Sequence, residues 1–251
     1  MPSDAFLRSR KRRQGTELVC ERVFRPLAHL VVLALAPLRV PPPLVAAASG
    51  ATGIVAAVEL GRGELLAAAL VLQLKTVLDN ADGQLARLTG RTSAFGRYLD
   101  SELDLLVDAA LFAALGWHTD SVFLPLAGFV AMTAVLSVNF NAERLARGAA
   151  AEPEPEAAGG RATALLRRVY GLVYAPQDRV AERLVARRPA LAEPLSVSLL
   201  ANLGMSTQLL ALGVLVAAGH PLVFPALVLV EVALVAVLAL PVRRPNQQEV
   251  A

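Results

Sequence analysis

One cysteine, three histidines and two lysines in 251 residues exclude several chemistries at once. Cys20 alone forms neither an intramolecular disulfide nor a thiolate metal site, so an oxidised scaffold and a zinc–sulfur centre are both ruled out. His29, His118 and His220 are far apart in the chain, and none has a second ligand nearby in sequence. They read as solvated or interfacial, so any metal must be held by oxygen. There is no glycine-rich P-loop, no HExxH pair and no internal repeat. The basic run from Arg8 to Arg13 lacks the apolar core and small-residue cleavage site of a signal peptide, and reads as retained.

Charge is scarce too. Charged residues make up 18% of the chain and hydrophobic ones 55%, with a mean hydropathy of +0.54. Such a composition, with several apolar runs near bilayer length, predicts an all-α, polytopic membrane protein. Stretches able to cross about 30 Å of hydrocarbon at about 1.5 Å per residue fall at 42–60, 64–88, 95–117, 121–145, 194–218 and 221–241. These are six predicted transmembrane helices. The shorter run from Pro26 to Leu38, bounded by Arg25 and Arg39, is expected to be an N-terminal interfacial amphipathic helix.

Of the 24 Lys and Arg, Arg62 lies in the first short connection and Lys75 inside a span. The rest fall on the side shared by both termini, whereas the connections 116–120 and 218–221 hold none. The positive-inside rule puts both termini and the 79–104 region in the cytoplasm, with the chain in the cell membrane. The same distribution explains the net charge of +3 without invoking nucleic acid. The expected organisation is a cytoplasmic N-terminus and interfacial helix over 1–40, a six-helix catalytic domain over 41–245 with a polar linker at about 147–193, and a tail over 246–251.

Against this apolar background Asp79 to Asp104, DNADGQLARLTGRTSAFGRYLDSELD, gathers two acid pairs. At about 100° per residue, Asp79, Asp82, Gly83 and Ala86 share a face of one helix, with Arg87 at its margin. Gly96, Asp100 and Asp104 share a face of the next, antiparallel helix, so the carboxylates meet at one depth. Four acids this close repel one another and are costly near hydrocarbon, so cations must lie between them. Two divalent ions balance the charge, and hard oxygen ligands favour Mg²⁺ or Mn²⁺. Gly83, Gly96 and Ala86 leave room for a bulky ligand, and Arg87, with Arg91 or Arg97, offers a planar fork to phosphate.

The pattern DxxDGxxAR, eight residues, then GxxxDxxxD resembles the signature of the CDP-alcohol phosphotransferases at all eight fixed positions: Asp79, Asp82, Gly83, Ala86, Arg87, Gly96, Asp100 and Asp104. At about 7% per position, chance gives such a match roughly once in ten million sequences. The resemblance implies six transmembrane helices, a homodimer, and a cytoplasm-facing site. It also implies metal ligands at Asp79, Asp82 and Asp100, and Asp104 beside the metals as ligand and general base. Gly83, Ala86, Arg87 and Gly96 would hold CDP. The implied reaction joins a CDP-activated lipid donor, CDP-diacylglycerol first, to a polar alcohol acceptor of the glycerol phosphate, inositol or inositol phosphate class, with release of CMP.

Lys75, one turn before Asp79, is a candidate for acceptor binding or for an ion pair with Asp79 or Asp108. Arg144, with Asn139, Asn141, Glu143 and Arg147 at the end of the fourth span, is a candidate for acceptor binding or for an ordinary helix terminus. The competing class is a divalent-cation transporter or channel. It predicts acids along a continuous path, whereas these cluster at one end beside glycine gaps and an arginine.

Overall fold

The computed structural model describes residues 6, 9, 14–148 and 160–240, and among them it is helical with no strand. A π-helical turn, Cys20–Phe24, leads into α1 (Arg25–Leu35). There follow α2 (Pro42–Arg62), α3 (Leu65–Thr89), α4 (Ala94–His118), α5 (Phe123–Arg147) and α6 (Arg161–Arg187). A 3₁₀ turn, Pro189–Ala192, precedes α7 (Pro194–Ala201), α8 (Met205–Ala217) and α9 (Val223–Leu238). The expected linker start at 149–159 and tail at 246–251 lie outside the described residues, as does most of 1–13.

The helix that organises the acid-bearing region is α2, which has no acid in it before Glu59. It packs along both α3 and α4, while α3 and α4 make little direct backbone contact. Its inner face is small: Ser49, Gly50, Gly53, Ala56 and Ala57 are buried. A Cβ on Gly53 would sit 2.5 and 2.6 Å from the two methyls of Val107 on α4, and one on Gly50 would sit 2.9 Å from Leu103. Small residues let the backbones approach, as they do between membrane helices generally. α2 is thus a thin wedge that keeps α3 and α4 close and leaves a cleft between their acid faces.

The turn into that cleft is built by local chemistry. Gly90 ends α3 at φ +66°, a left-handed conformation that a side chain disfavours. Three residues later Ser93 caps α4, its Oγ accepting the Gly96 N–H at 3.0 Å.

The outer surface is apolar and the interior is not uniformly so. Leu66, Leu70, Phe123, Val130 and Val230 are more than half exposed, while Lys75, Gln84, Asp108 and Asn141 are buried. This inversion fits a protein whose solvent is lipid. By length and composition α2 and α5 each suffice to cross a membrane, and α7 with α8 forms a third candidate bent by 40°. The bend falls at Asn202, whose side chain donates to Ser198 O at 2.8 Å and Thr16 O at 2.7 Å and accepts from Leu18 N–H at 2.9 Å. α9 is apolar but shorter, and α3 and α4 have the length but carry the acids.

α1 lies on α3, with Ala28 and Val32 against Ala81 and Leu85. Leu27, Leu30 and Leu33 face outward, while Arg25 and His29 are buried. Of the two readings the sequence offered for His29, solvated or interfacial, its burial removes the first. Its ring meets Phe6 edge-on at 5.0 Å, on the buried face of α1 that also carries Ala28 and Val32.

Candidate active site

The two acid faces do meet. One carboxylate oxygen each from Asp79 on α3 and from Asp100 and Asp104 on α4 lie within 4.8 Å of one another. Asp82, one turn further along α3, is buried and lies outside this group of three. The closest group is therefore Asp79, Asp100 and Asp104. Three hard oxygen donors at this separation fit a divalent cation of the Mg²⁺ or Mn²⁺ kind, and neither thiolate nor imidazole competes for it.

Lys75 lies at the centre. Its Nζ donates to Asp79 Oδ1 at 2.8 Å and to Asp104 Oδ1 at 2.5 Å, and the side chain is 1% exposed. The sequence offered Asp79 or Asp108 as partners; the structure pairs Lys75 with Asp79 and Asp104, and buries Asp108 deeper in the same interface. Two α2 residues that motif reasoning missed complete the cage. Ser49 Oγ donates to Lys75 O at 3.2 Å and reaches Asp79 Oδ1 at 3.5 Å. Gly53 leaves space for the lysine stem, whose Cγ would lie 3.2 Å from a Cβ there.

The residues that the resemblance assigned to CDP line the rest of the α3–α4 turn. The space beside Gly83 is used by Arg87, whose Nη1 would stand 3.2 Å from a Cβ on that glycine. Arg87 Nε also donates to Ser9 O at 2.7 Å. Ala86 is half-buried, its carbonyl accepting from Arg91 N–H at 2.9 Å as α3 ends. Gly96 faces Ser93 and Pro43, with modest room for a methyl group. Arg91 Nη1 donates to Arg39 O at 3.2 Å. Glu143 holds the chain that follows Ser9, accepting from Gln14 N–H at 2.7 Å and Gly15 N–H at 3.2 Å.

Helix α6 covers the other side of α4, a contact that nothing in the sequence signals. All three tyrosines of the chain gather at this contact: Tyr170 stacks on Tyr174 at 5.0 Å and meets Tyr98 edge-on at 5.5 Å. Tyr174 donates to Ser101 O at 2.9 Å, between Asp100 and Asp104 in the sequence. Burial first, then the carboxylates of Asp104 and Asp108, holds the Tyr174 phenol above the ordinary tyrosine range, so it remains a donor. Tyr170 donates to Asp178, which also accepts from Ser137 on α5, both at 2.9 Å. Tyr174→Phe is expected to cost about 0.5 to 1.5 kcal/mol, read as a lower unfolding midpoint in detergent.

Arg144 lies apart from the acids, exposed and 3.7 Å from Glu182 on α6. At the opposite end of the helices, His118 and His220 line one open hollow of about 380 Å³, brought together by the α4–α5 and α8–α9 connections.

The family model described as CDP-alcohol phosphatidyltransferase matches residues 39–242. The phosphatidylinositol phosphate synthase of Corynebacterium glutamicum is 34% identical over 96 residues, 38% of this chain and 42% of that protein. The bifunctional IPC transferase and DIPP synthase of Thermococcus kodakarensis is 42% identical over 85 residues, 33% of this chain and 19% of that protein. The archaetidylinositol phosphate synthase of Pyrococcus horikoshii is 45% identical over 65 residues, 24% of this chain and 35% of that protein. The matches thus span less than half the length of each of these relatives. No solved structure matches the chain.

Proposed function

The chain belongs to the CDP-alcohol phosphatidyltransferase family, and from that premise we propose that it moves a phosphatidyl group from CDP-diacylglycerol to the hydroxyl of a phosphorylated polyol, releasing CMP. The observation that carries this reading is the group of three carboxylate oxygens contributed by two helices inside the family-matched segment. Relatives named for phosphatidylinositol phosphate and archaetidylinositol phosphate favour an acceptor of the inositol phosphate class.

Asp79, Asp82, Asp100 and Asp104 would hold two divalent ions, which when bound supply positive charge to the pyrophosphate and the leaving group. Asp104 takes the proton of the acceptor hydroxyl. The freed oxygen attacks the β-phosphorus, a new phosphorus–oxygen bond forms, and the anhydride bond to the α-phosphate breaks so that CMP leaves with its electron pair. Arg87 and the glycine face around Gly83, Ala86 and Gly96 hold the CDP half. A neighbouring cation keeps the Asp104 carboxylate ionised but lowers its proton affinity, so the hydrogen bonds around Asp104 serve the step by aiming it.

In this reading α2, α3, α4, α5, the bent α7–α8 pair and α9 are the six spans, and α1 and α6 lie along the cytoplasmic face. Supporting it, the N-terminal segment, α6 and the acid cleft share one end of the helices, where the basic connections also fall. Residues 41–245 then form the catalytic body, 1–40 its cytoplasmic entry and 246–251 a tail, with a homodimer as the working unit.

The test is a panel in reconstituted vesicles: CDP-diacylglycerol with inositol phosphate, inositol, glycerol 3-phosphate or serine, scoring CMP and lipid product. CMP release is expected with inositol phosphate, is expected to vanish on chelation, and to return with Mg²⁺ or Mn²⁺. Absence of CMP across the panel would refute the proposal.

A further inference from the structure

A buried lysine is expensive, because an ammonium loses its hydration and regains it only through well-placed partners. Lys75 is 1% exposed and has two carboxylates, one from each side of the cleft. Its bonds go to the Oδ1 atoms of Asp79 and Asp104, which leaves the second oxygen of each carboxylate for other uses. Because α3 and α4 have little direct backbone contact, this ammonium is a polar tie between them. Both of its partners also belong to the three-carboxylate group. Three helices make room for it: α3 supplies the residue, α4 the second carboxylate, and α2 the gap at Gly53 together with the Ser49 hydroxyl on the Lys75 carbonyl.

We propose that Lys75 is a positioning residue for the transfer step: its ammonium clamps one oxygen of Asp104 and one of Asp79, thereby aiming the remaining oxygens toward cation and acceptor. The proposal rests on the function above for the role of Asp104, but its consequence for metal binding does not. A fixed positive charge touching two ligands opposes an incoming dication while it orders the oxygens that will hold it. Aim is gained at the expense of affinity. Lys75 therefore does not bind the acceptor, since its ammonium is enclosed and faces the two acids.

The experiment uses full-length protein in lipid nanodiscs as wild type, Lys75→Met, Lys75→Gln and Lys75→Arg. Mn²⁺ affinity is measured by paramagnetic resonance without donor, and kcat and KM by CMP release. Lys75→Met is expected to bind Mn²⁺ about tenfold more tightly, because the competing charge is gone. Its kcat is expected to fall about 100-fold with both KM values within about threefold, because orientation and not substrate binding is lost. Lys75→Arg is expected to restore the wild-type Mn²⁺ affinity and to recover kcat to within about tenfold of wild type. Should Lys75→Met fail to fold, Lys75→Gln makes the same comparison with a neutral donor.

Equal or weaker Mn²⁺ binding by the neutral variants overturns the proposal, since a purely structural lysine predicts that. A raised acceptor KM with kcat unchanged also overturns it and assigns Lys75 to acceptor binding. If the wild type releases no CMP from any donor, the proposed function fails while the Mn²⁺ comparison still decides the clamp.

Discussion

Asp104→Asn is expected to lower kcat for CMP release by roughly 10³-fold. The substitution keeps the volume and one oxygen but removes the proton acceptor and one of the three clustered oxygens' charges. It also leaves the Lys75 ammonium with Asp79 as its remaining hydrogen-bonded carboxylate of the two observed. That imbalance has a signature: Mn²⁺ binding should weaken, the opposite of the change expected when Lys75 itself is neutralised. Asp82→Asn should weaken Mn²⁺ less, because Asp82 lies outside the closest group of three. Residual Asp104→Asn activity above a tenth of the wild type would remove Asp104 from the role of base.

The acid cleft was legible in the sequence because its logic is local. Asp79 and Asp82, and Asp100 and Asp104, are one helical turn apart, so helical phase alone puts each pair on a face. The short connection through Gly90 forces the two faces to the same depth. The partners of Lys75 were half legible: Asp79 is four residues away, but the choice of Asp104 over Asp108 depends on how far α4 slides past α3. That offset is set by α2. Nothing in composition separates Ser49, Gly50 and Gly53 from the small residues of any membrane helix, so the wedge could not be read.

The tyrosine cluster was illegible for a related reason. Tyr174 and Ser101 are 73 residues apart, and their contact exists only because α6 folds back over α4. Likewise His29 gave no sign of burial, since an isolated 11-residue helix does not declare which face its neighbours will cover. The six-span expectation drew on length and apolar content, which α2 and α5 satisfy outright. α3 and α4 carry the acids and Lys75, so hydropathy is weakest in the helices that bear the chemistry.

The wedge makes a sharp prediction through two glycines of opposite character. In a helix interior, Gly→Ala ordinarily gains about 1 kcal/mol from lower backbone freedom in the unfolded chain and better propensity. Gly171, on exposed α6 with nothing within 4 Å of its would-be Cβ, should show that gain in full. Gly53→Ala should reverse it. The new methyl would stand 2.5 and 2.6 Å from both methyls of Val107, a residue with no exposure and one dominant rotamer in a helix, so the side chain has nowhere to turn. Relief requires α4 to move away from α2, at a cost of about 3 kcal/mol, which exceeds the propensity gain and leaves the protein about 2 kcal/mol less stable. That movement also carries Asp104 away from Lys75 and Asp79. Gly53→Ala should therefore lose most of its activity without touching a carboxylate, while Gly171→Ala unfolds at higher temperature with activity unchanged. Equal stability of the two variants in the same detergent would mean that α2 does not set the distance between the acid helices.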